Sequence, residues 1–70
     1  MTRGDVEAWL PAIRRVTLAD SLCVLESGGV FTVLVKWPGG ELAERIDSSK
    51  KLCNQARHIM FLVLTARGVV

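Results

Sequence analysis

Two glycine-rich turn signals constrain the fold of this chain more than any other feature. Gly28-Gly29 and Pro38-Gly39-Gly40 flank a β-branched and aromatic segment, residues 30–37. Shorter strand-like segments, 22–26 and 41–47, lie on the outer sides of the two turns. Glycine supplies the positive φ angles of tight hairpin turns, and proline suits the second turn position. The pattern therefore predicts a three-stranded antiparallel meander, whose buried face carries Phe31, Val33, Val35, Trp37, Leu42 and Ile46.

Helical periodicity flanks this meander on both sides. Over residues 5–16, Val6, Trp9, Leu10 and Ile13 share one face, and Asp5 is the expected N-cap. Pro11 lies too deep for the first turn, so it either kinks this helix or begins a new one. The alternative prediction for residues 13–18 is an extended segment in place of the end of this helix. A second helix is predicted from Ser48 or Ser49 to Ala66 or Arg67, with Gly68 after its end and an apolar stripe of Leu52, Ala56, Ile59, Met60 and Val63.

Length and composition predict one small domain, and no residue spacing in it indicates an enzyme. The 70 residues make a single domain with a thin core, half of them are hydrophobic, and the formal charge is only +2. The longest apolar run, 59–64, is too short to span a bilayer, so we expect a soluble, cytoplasmic chain without a membrane partner. No spacing of carboxylates, of His58 or of glycines indicates catalysis, a metal, a cofactor or a small-molecule substrate. Cys23 and Cys53 are expected to be reduced core thiols, with a disulfide as the alternative.

Residues 47–51 combine features that seldom occur together. The stretch Asp-Ser-Ser-Lys-Lys connects the last predicted strand to the second helix, so Lys50 and Lys51 lie at a helix start. A helix N-terminus carries a partial positive charge and favours carboxylates, so two lysines oppose local stability. An anion from a partner, such as a phosphate backbone, would relieve this conflict. The alternative is that both lysines are ordinary solvated residues.

Together these segments resemble a known family. Leu-Cys-Val-Leu-Glu-Ser-Gly from Leu22, Val-Phe-Thr-Val-Leu-Val-Lys from Val30, and Ser-Lys-Lys-Leu-Cys-Asn-Gln-Ala from Ser49 are similar to segments of the double-stranded RNA-binding domain. The resemblance covers about two-thirds of the chain and is most specific at the helix-opening segment. The predicted elements have the order α-β-β-β-α of an α+β fold, and the resemblance implies that both helices lie on one face of the sheet.

The resemblance also implies a function without catalysis. The domain would bind duplex RNA through phosphate contacts at the start of its last helix, with little sequence preference. The expected contacts are Ser49, Lys50, Lys51, Asn54 and Arg57. The sequence departs from the family at Asn54, where a lysine is usual, and at Ser27-Gly28-Gly29, where a longer loop enters a minor groove. Glu7 is a weak candidate for the contact from the first helix.

The C-terminal half of the last predicted helix favours a second hypothesis. Phe61, Leu62 and Leu64 widen its apolar stripe beyond what one sheet face covers. An apolar patch on a small soluble domain usually marks an interface, so a homodimer or a protein partner would contact this half. In this hypothesis the domain is an adaptor, inhibitor or dimerisation module. The alternative is that the first helix and the tail, Val69-Val70, bury these residues within one chain.

Overall fold

The computed structural model describes residues 1–69 and has the predicted α+β architecture. An N-terminal helical unit is followed by a three-stranded antiparallel sheet in the order β1-β2-β3 and by one long helix. The order α-β-β-β-α is therefore confirmed. The elements are α1 (Arg3–Glu7), α2 (Leu10–Thr17), β1 (Ser21–Ser27), β2 (Val30–Trp37), β3 (Gly40–Arg45) and α3 (Leu52–Ala66).

Pro11 divides the N-terminal unit into two helices, as one of the two alternatives for this residue predicts. A turn at Ala8 and Trp9 interrupts the helix. Pro11 lies in the first turn of α2, where its missing N–H group costs nothing. The predicted cap, Asp5, is wrong, because α1 begins earlier and Thr2 is its N-cap. Asp5 instead completes a capping box with Thr2. The extended alternative for 13–18 is also wrong, since α2 continues to Thr17.

Tight turns set the register of the sheet. Gly28 and Gly29 both have positive φ, which permits a two-residue hairpin between β1 and β2. Gly39, with φ of 96°, plays the same part behind Pro38. In the resulting register Val24 lies opposite Val33, and Val35 lies opposite Leu42. The predicted inward residues of β2 and β3 thereby share one face.

The core lies between this face and the helices. Val33, Val35 and Ile46 are buried against apolar side chains from all three helices, as the sequence pattern predicts. The opposite face carries a row formed by Cys23, Leu34 and Ala43. Both cysteines are free and only half-buried, so the prediction that they are core thiols is wrong, since alternation places Cys23 on the open face. The buried helical side chains are Val6, Ile13, Ala56, Ile59 and Val63.

The C-terminal ends of α2 and α3 are fastened to each other. Gly68 adopts φ of 76° and closes α3 with the paired hydrogen bonds of a Schellman motif, which confirms its predicted place after the helix. The Arg67 guanidinium donates to the carbonyl oxygens of Thr17 at 2.8 Å and Leu18 at 3.2 Å. A cation at these carbonyls satisfies the open acceptors of the last turn of α2. Arg67 thus joins the C-terminal end of α3 to the C-terminal end of α2. The N-terminal end of α3, at Leu52, lies away from this junction.

Candidate nucleic-acid interface

Asp47 organises the loop that leads into α3. Its Oδ1 atom accepts hydrogen bonds from the Ser49 N–H at 2.9 Å and the Ser49 hydroxyl at 2.7 Å. The Lys50 N–H donates to the Asp47 carbonyl oxygen at 3.2 Å. These bonds offer the backbone a turn in place of a helix, so α3 begins at Leu52 rather than at Ser48 or Ser49. The predicted start is therefore wrong by one turn, although the lysines still lie at the mouth of the helix.

Gln55 fixes this loop from inside the helix. Its carboxamide accepts from the Asp47 N–H at 2.7 Å and donates to the Asp47 carbonyl oxygen at 2.8 Å. A longer bond of 3.3 Å reaches the Lys50 carbonyl oxygen. The side chain thus pairs with both backbone groups of one residue, as a neighbouring strand would. Nothing in the helical spacing identified Gln55, because its role depends on the position of the loop.

The first turn of α3 has no carboxylate and no side-chain cap within residues 1–69. Lys51 is the N-cap residue, in an extended conformation, and its ammonium group cannot accept a hydrogen bond from the helix. The N–H groups of the first turn therefore keep no intrahelical partner. They lie beside a positively charged side chain, a combination that attracts anions.

Asp47 partly balances the charge of this helix start. Its Oδ2 atom lies 3.9 Å from the Lys50 Nζ atom, and the lysine side chain remains 72% exposed. Hydrogen bonds from the Ser49 side chain and backbone, with a smaller contribution from Lys50, lower the pKa of Asp47 below its usual 3.8. The carboxylate is therefore charged at neutral pH. An exposed pair of this length contributes little stability, so Lys50 keeps most of its capacity to bind another anion.

A groove of about 590 Å³ lies between the end of β3 and the first turns of α3. Three of the residues that line it are cationic, namely Arg45 at the end of β3 and the consecutive Lys50 and Lys51 before α3. Sequence reasoning missed Arg45 and placed no role on His58, because only the fold brings the end of β3 beside the first turns of α3. The remaining lining residues are Glu44, Ile46, Asp47, Asn54, Gln55, His58 and Ile59.

The other predicted contacts divide between this groove and its surroundings. Asn54 lines the groove, next to His58 on the exposed side of α3. Ser49 is exposed, but its hydroxyl is engaged with Asp47. Arg57 is exposed and lies outside the groove lining. The structure thus brings together Lys50, Lys51 and Asn54, places Ser49 in the supporting turn, and leaves Arg57 beside the site.

Regions that supply additional duplex contacts in the resembled family are small here. The β1–β2 connection is a two-residue turn, so no loop projects from that end of the sheet. Glu7 lies on the short helix α1 and its carboxylate is 3.7 Å from the Arg3 guanidinium. Any duplex contact therefore depends mainly on the start of α3.

The apolar residues of the C-terminal half of α3 differ in exposure. Phe61 is 52% exposed, on the side of the helix opposite the core residues. Leu62 and Leu64 are half-buried. The alternative in which the first helix and the tail cover all three therefore does not hold for Phe61. Val69 of this tail is itself exposed, and Val70 lies outside the described residues.

Comparison of the chain with protein-family models, with curated proteins and with solved structures finds no match. Within residues 1–69, no three His, Cys, Asp or Glu side chains are grouped to hold a metal ion. In the same range, no helix has the length and apolar character needed to cross a membrane.

Proposed function

We propose that this protein is a non-enzymatic module that binds duplex RNA through its sugar-phosphate backbone. The observation that carries the proposal is the start of α3, which has two lysines, open N–H groups and no cap. A phosphate placed there accepts hydrogen bonds from the backbone and from the ammonium groups at once. The lysines that oppose the helix in the free protein then favour the complex.

Contacts of this kind recognise shape rather than sequence. Side chains cannot enter the deep, narrow major groove of A-form RNA, but a helix end can lie across it and contact phosphates. The groove adds Arg45 to the two lysines, so a backbone that crosses the start of α3 meets three cations. Their effect is reduced by Glu44 and Asp47, which line the same groove. Affinity should therefore be modest and should fall with salt along a slope set by these few cations.

The experiment compares two variants of equal net charge. Lys50→Ala/Lys51→Ala removes the proposed contacts, and Arg15→Ala/Lys36→Ala removes two exposed cations elsewhere. We expect the first variant to lose roughly tenfold or more in affinity and about two units of salt slope, because each lost phosphate contact removes about one. The control should retain the affinity of the unmodified chain. Equal affinities for the two variants would refute the proposal.

One further observation favours a second function, contact with another protein through α3. Phe61 is half exposed on a face that no described element covers in residues 1–69. This is the surface through which the domain would act as an adaptor, inhibitor or dimerisation module. Sedimentation of the unmodified chain and of Phe61→Glu tests this candidate. An unchanged mass in solution and unchanged partner binding would argue against it.

A further inference from the structure

The outer edge of β3 carries backbone groups that point away from the sheet. The Ile46 N–H donates to the Phe31 carbonyl oxygen at 2.8 Å, which identifies this pair as hydrogen-bonded. In an antiparallel ladder such pairs alternate along the strand, so Leu42 and Glu44 also direct their backbone groups to β2. The N–H and C=O groups of Glu41, Ala43 and Arg45 then point outward. Among residues 1–69 no described hydrogen bond reaches them.

The two edges of the sheet are treated differently. At the β1 edge, the Arg3 guanidinium donates to the outward carbonyl of Val24 at 2.6 Å, so a side chain of the N-terminal helix occupies the middle of that strand. At the β3 edge, the hydrogen bonds described for residues 1–69 reach only Asp47, just beyond the strand, through the carboxamide of Gln55. Native proteins commonly protect sheet edges, because open ones pair with other chains. The segment from Glu41 to Arg45 is left open.

The side chains of this open segment are complementary to themselves. Glu41, Ala43 and Arg45 are all exposed, and alternation places them together on the face away from the helices. When two copies of β3 run antiparallel about a two-fold axis at Ala43, each Glu41 lies opposite Arg45 of the other copy. The residues of the three opposed pairs, Glu41, Ala43 and Arg45, are also those whose backbone groups point outward. The register that pairs opposite charges is therefore the same register that forms the main-chain hydrogen bonds.

We infer that β3 pairs with β3 of a second copy of this chain, antiparallel and centred on Ala43. The pairing forms about six main-chain hydrogen bonds and joins two sheets into one of six strands. A two-fold axis normal to the sheet keeps both helical layers on the same side. The contact is closed, since the two-fold axis uses the same β3 edge of both chains, and Arg3 occupies the middle of the β1 edge.

Neighbouring residues fit this arrangement. Lys36 lies opposite Glu41 in the sheet, so the row continues as Lys36, Glu41 and Arg45 of the second copy, with alternating sign. The next row joins Leu34 and Ala43 of both copies into an apolar strip. In this register the second copy's Gly39 lies opposite Asp47. Gln55 already occupies the outward groups of Asp47, so the paired segment ends where that side chain begins.

The interface is distinct from the Phe61 surface and uses neither Lys50 nor Lys51, but it shares Arg45 with the groove of the proposed RNA contacts. It moves the expected homodimer contact from the C-terminal half of α3 to the edge of the sheet. The small area of one strand pair predicts a weak dimer, so association should be followed up to about 1 mM chain.

Sedimentation equilibrium of the full chain tests the inference. We expect the apparent mass to rise from 7.7 kDa towards twice that value with concentration. Ala43→Pro removes the central outward N–H, which the fold itself does not use, and should leave a folded monomer by circular dichroism. Arg45→Glu and Glu41→Arg should each weaken association about tenfold by opposing like charges. Combining the two reversals should restore it.

Three results would overturn the inference. The first is an unmodified chain that stays monomeric over the whole range. The second is a double reversal that fails to recover the association lost in the single variants, which does not depend on how Ala43→Pro folds. The third is loss of the dimer in Phe61→Glu but not in Ala43→Pro. Lys50→Ala/Lys51→Ala should leave the apparent mass in sedimentation unchanged. Failure of the dimer inference can therefore be told apart from failure of the RNA proposal.

Discussion

The starts of α1 and α3 contrast in how each satisfies its first turn. At α1, the Asp5 N–H donates to the Thr2 Oγ1 atom at 3.2 Å, and the Thr2 N–H donates to the Asp5 Oδ2 atom at 2.9 Å. At α3, Lys51 occupies the N-cap position and no described side chain in residues 1–69 caps the turn. One start carries a carboxylate, and the other carries two ammonium groups.

The difference supports the proposal that the start of α1 serves the fold and the start of α3 serves a ligand. A short helix such as α1, with five residues, needs its capping box, because few intrahelical bonds support it. The longer α3 is held by Ala56, Ile59 and Val63 in the core and can tolerate an unfavourable start. Residues that lower local stability without a structural gain often belong to functional sites. The lysines at α3 fit that description.

Replacing the cationic N-cap of α3 with a carboxylate should have the largest effect on stability and RNA binding. Lys51→Asp supplies an N-cap acceptor at a position whose backbone is already extended, and it brings a carboxylate to the helix dipole. We expect a gain of about 1 kcal/mol in the free energy of unfolding and a loss of roughly tenfold or more in duplex RNA affinity. Urea titration and an RNA-binding assay measure the two. A variant that is more stable and binds equally well would contradict the functional interpretation of Lys51.

Removing the support of the α3 start should have the next largest effect. Gln55→Ala deletes the side chain that pairs with both backbone groups of Asp47. We expect a loss of about 1 to 2 kcal/mol in the free energy of unfolding, since the two hydrogen bonds to Asp47 and the longer one to Lys50 disappear together. Affinity for RNA should also fall, because the loop that carries Lys50 and Lys51 becomes less ordered. The test is a urea titration with Asn54→Ala, one position earlier on the same helix, as the control expected to change stability less.

Removing the cap of α1 should affect stability alone. Thr2→Ala breaks the capping box and should cost about 1 kcal/mol in the free energy of unfolding. Because this start carries no proposed ligand contact, duplex RNA affinity should not change. Thr2→Ser is the matched control, since it keeps the hydroxyl. Weaker RNA binding by folded Thr2→Ala would contradict the view that the start of α1 serves only stability.

Acid should produce the smallest effect and act at both starts. Hydrogen bonds from the Thr2 backbone and side chain lower the pKa of Asp5, and those from Ser49 lower the pKa of Asp47. A depressed carboxyl pKa contributes stability above the unfolded value of 3.8, and that contribution is lost as the pH falls through the lower folded value. The melting temperature should therefore decline below about pH 4. Asp5→Asn/Asp47→Asn should flatten this decline, and an unchanged slope would contradict the assignment.

The sequence predicts the sheet and the core well because their signals are local. The β2 segment, both turns and the buried face of α3 follow from alternation, glycine positions and helical spacing. The N-terminal cap was misassigned, because both Asp5 and Thr2 are good capping residues and only the position of Pro11 and the core decides between them. These choices depend on tertiary packing.

The site was predicted only in part for a similar reason. Lys50 and Lys51 stand out in the sequence because they precede an apolar helical pattern. The late start of α3 depends on competition between the Asp47 turn and the helix, which spacing alone does not resolve. Arg45 and Gln55 come from different elements, and only the folded chain brings them to the same groove.

A salt titration of binding to a labelled duplex RNA of about 20 base pairs tests the central claim most directly. Matched duplex DNA and single-stranded RNA are the controls. Binding through the start of α3 predicts preference for duplex RNA and a logarithmic salt slope of roughly −2 to −3, which reflects Lys50, Lys51 and Arg45. Absence of duplex RNA binding at low salt, or equal binding to all three nucleic acids, would contradict it.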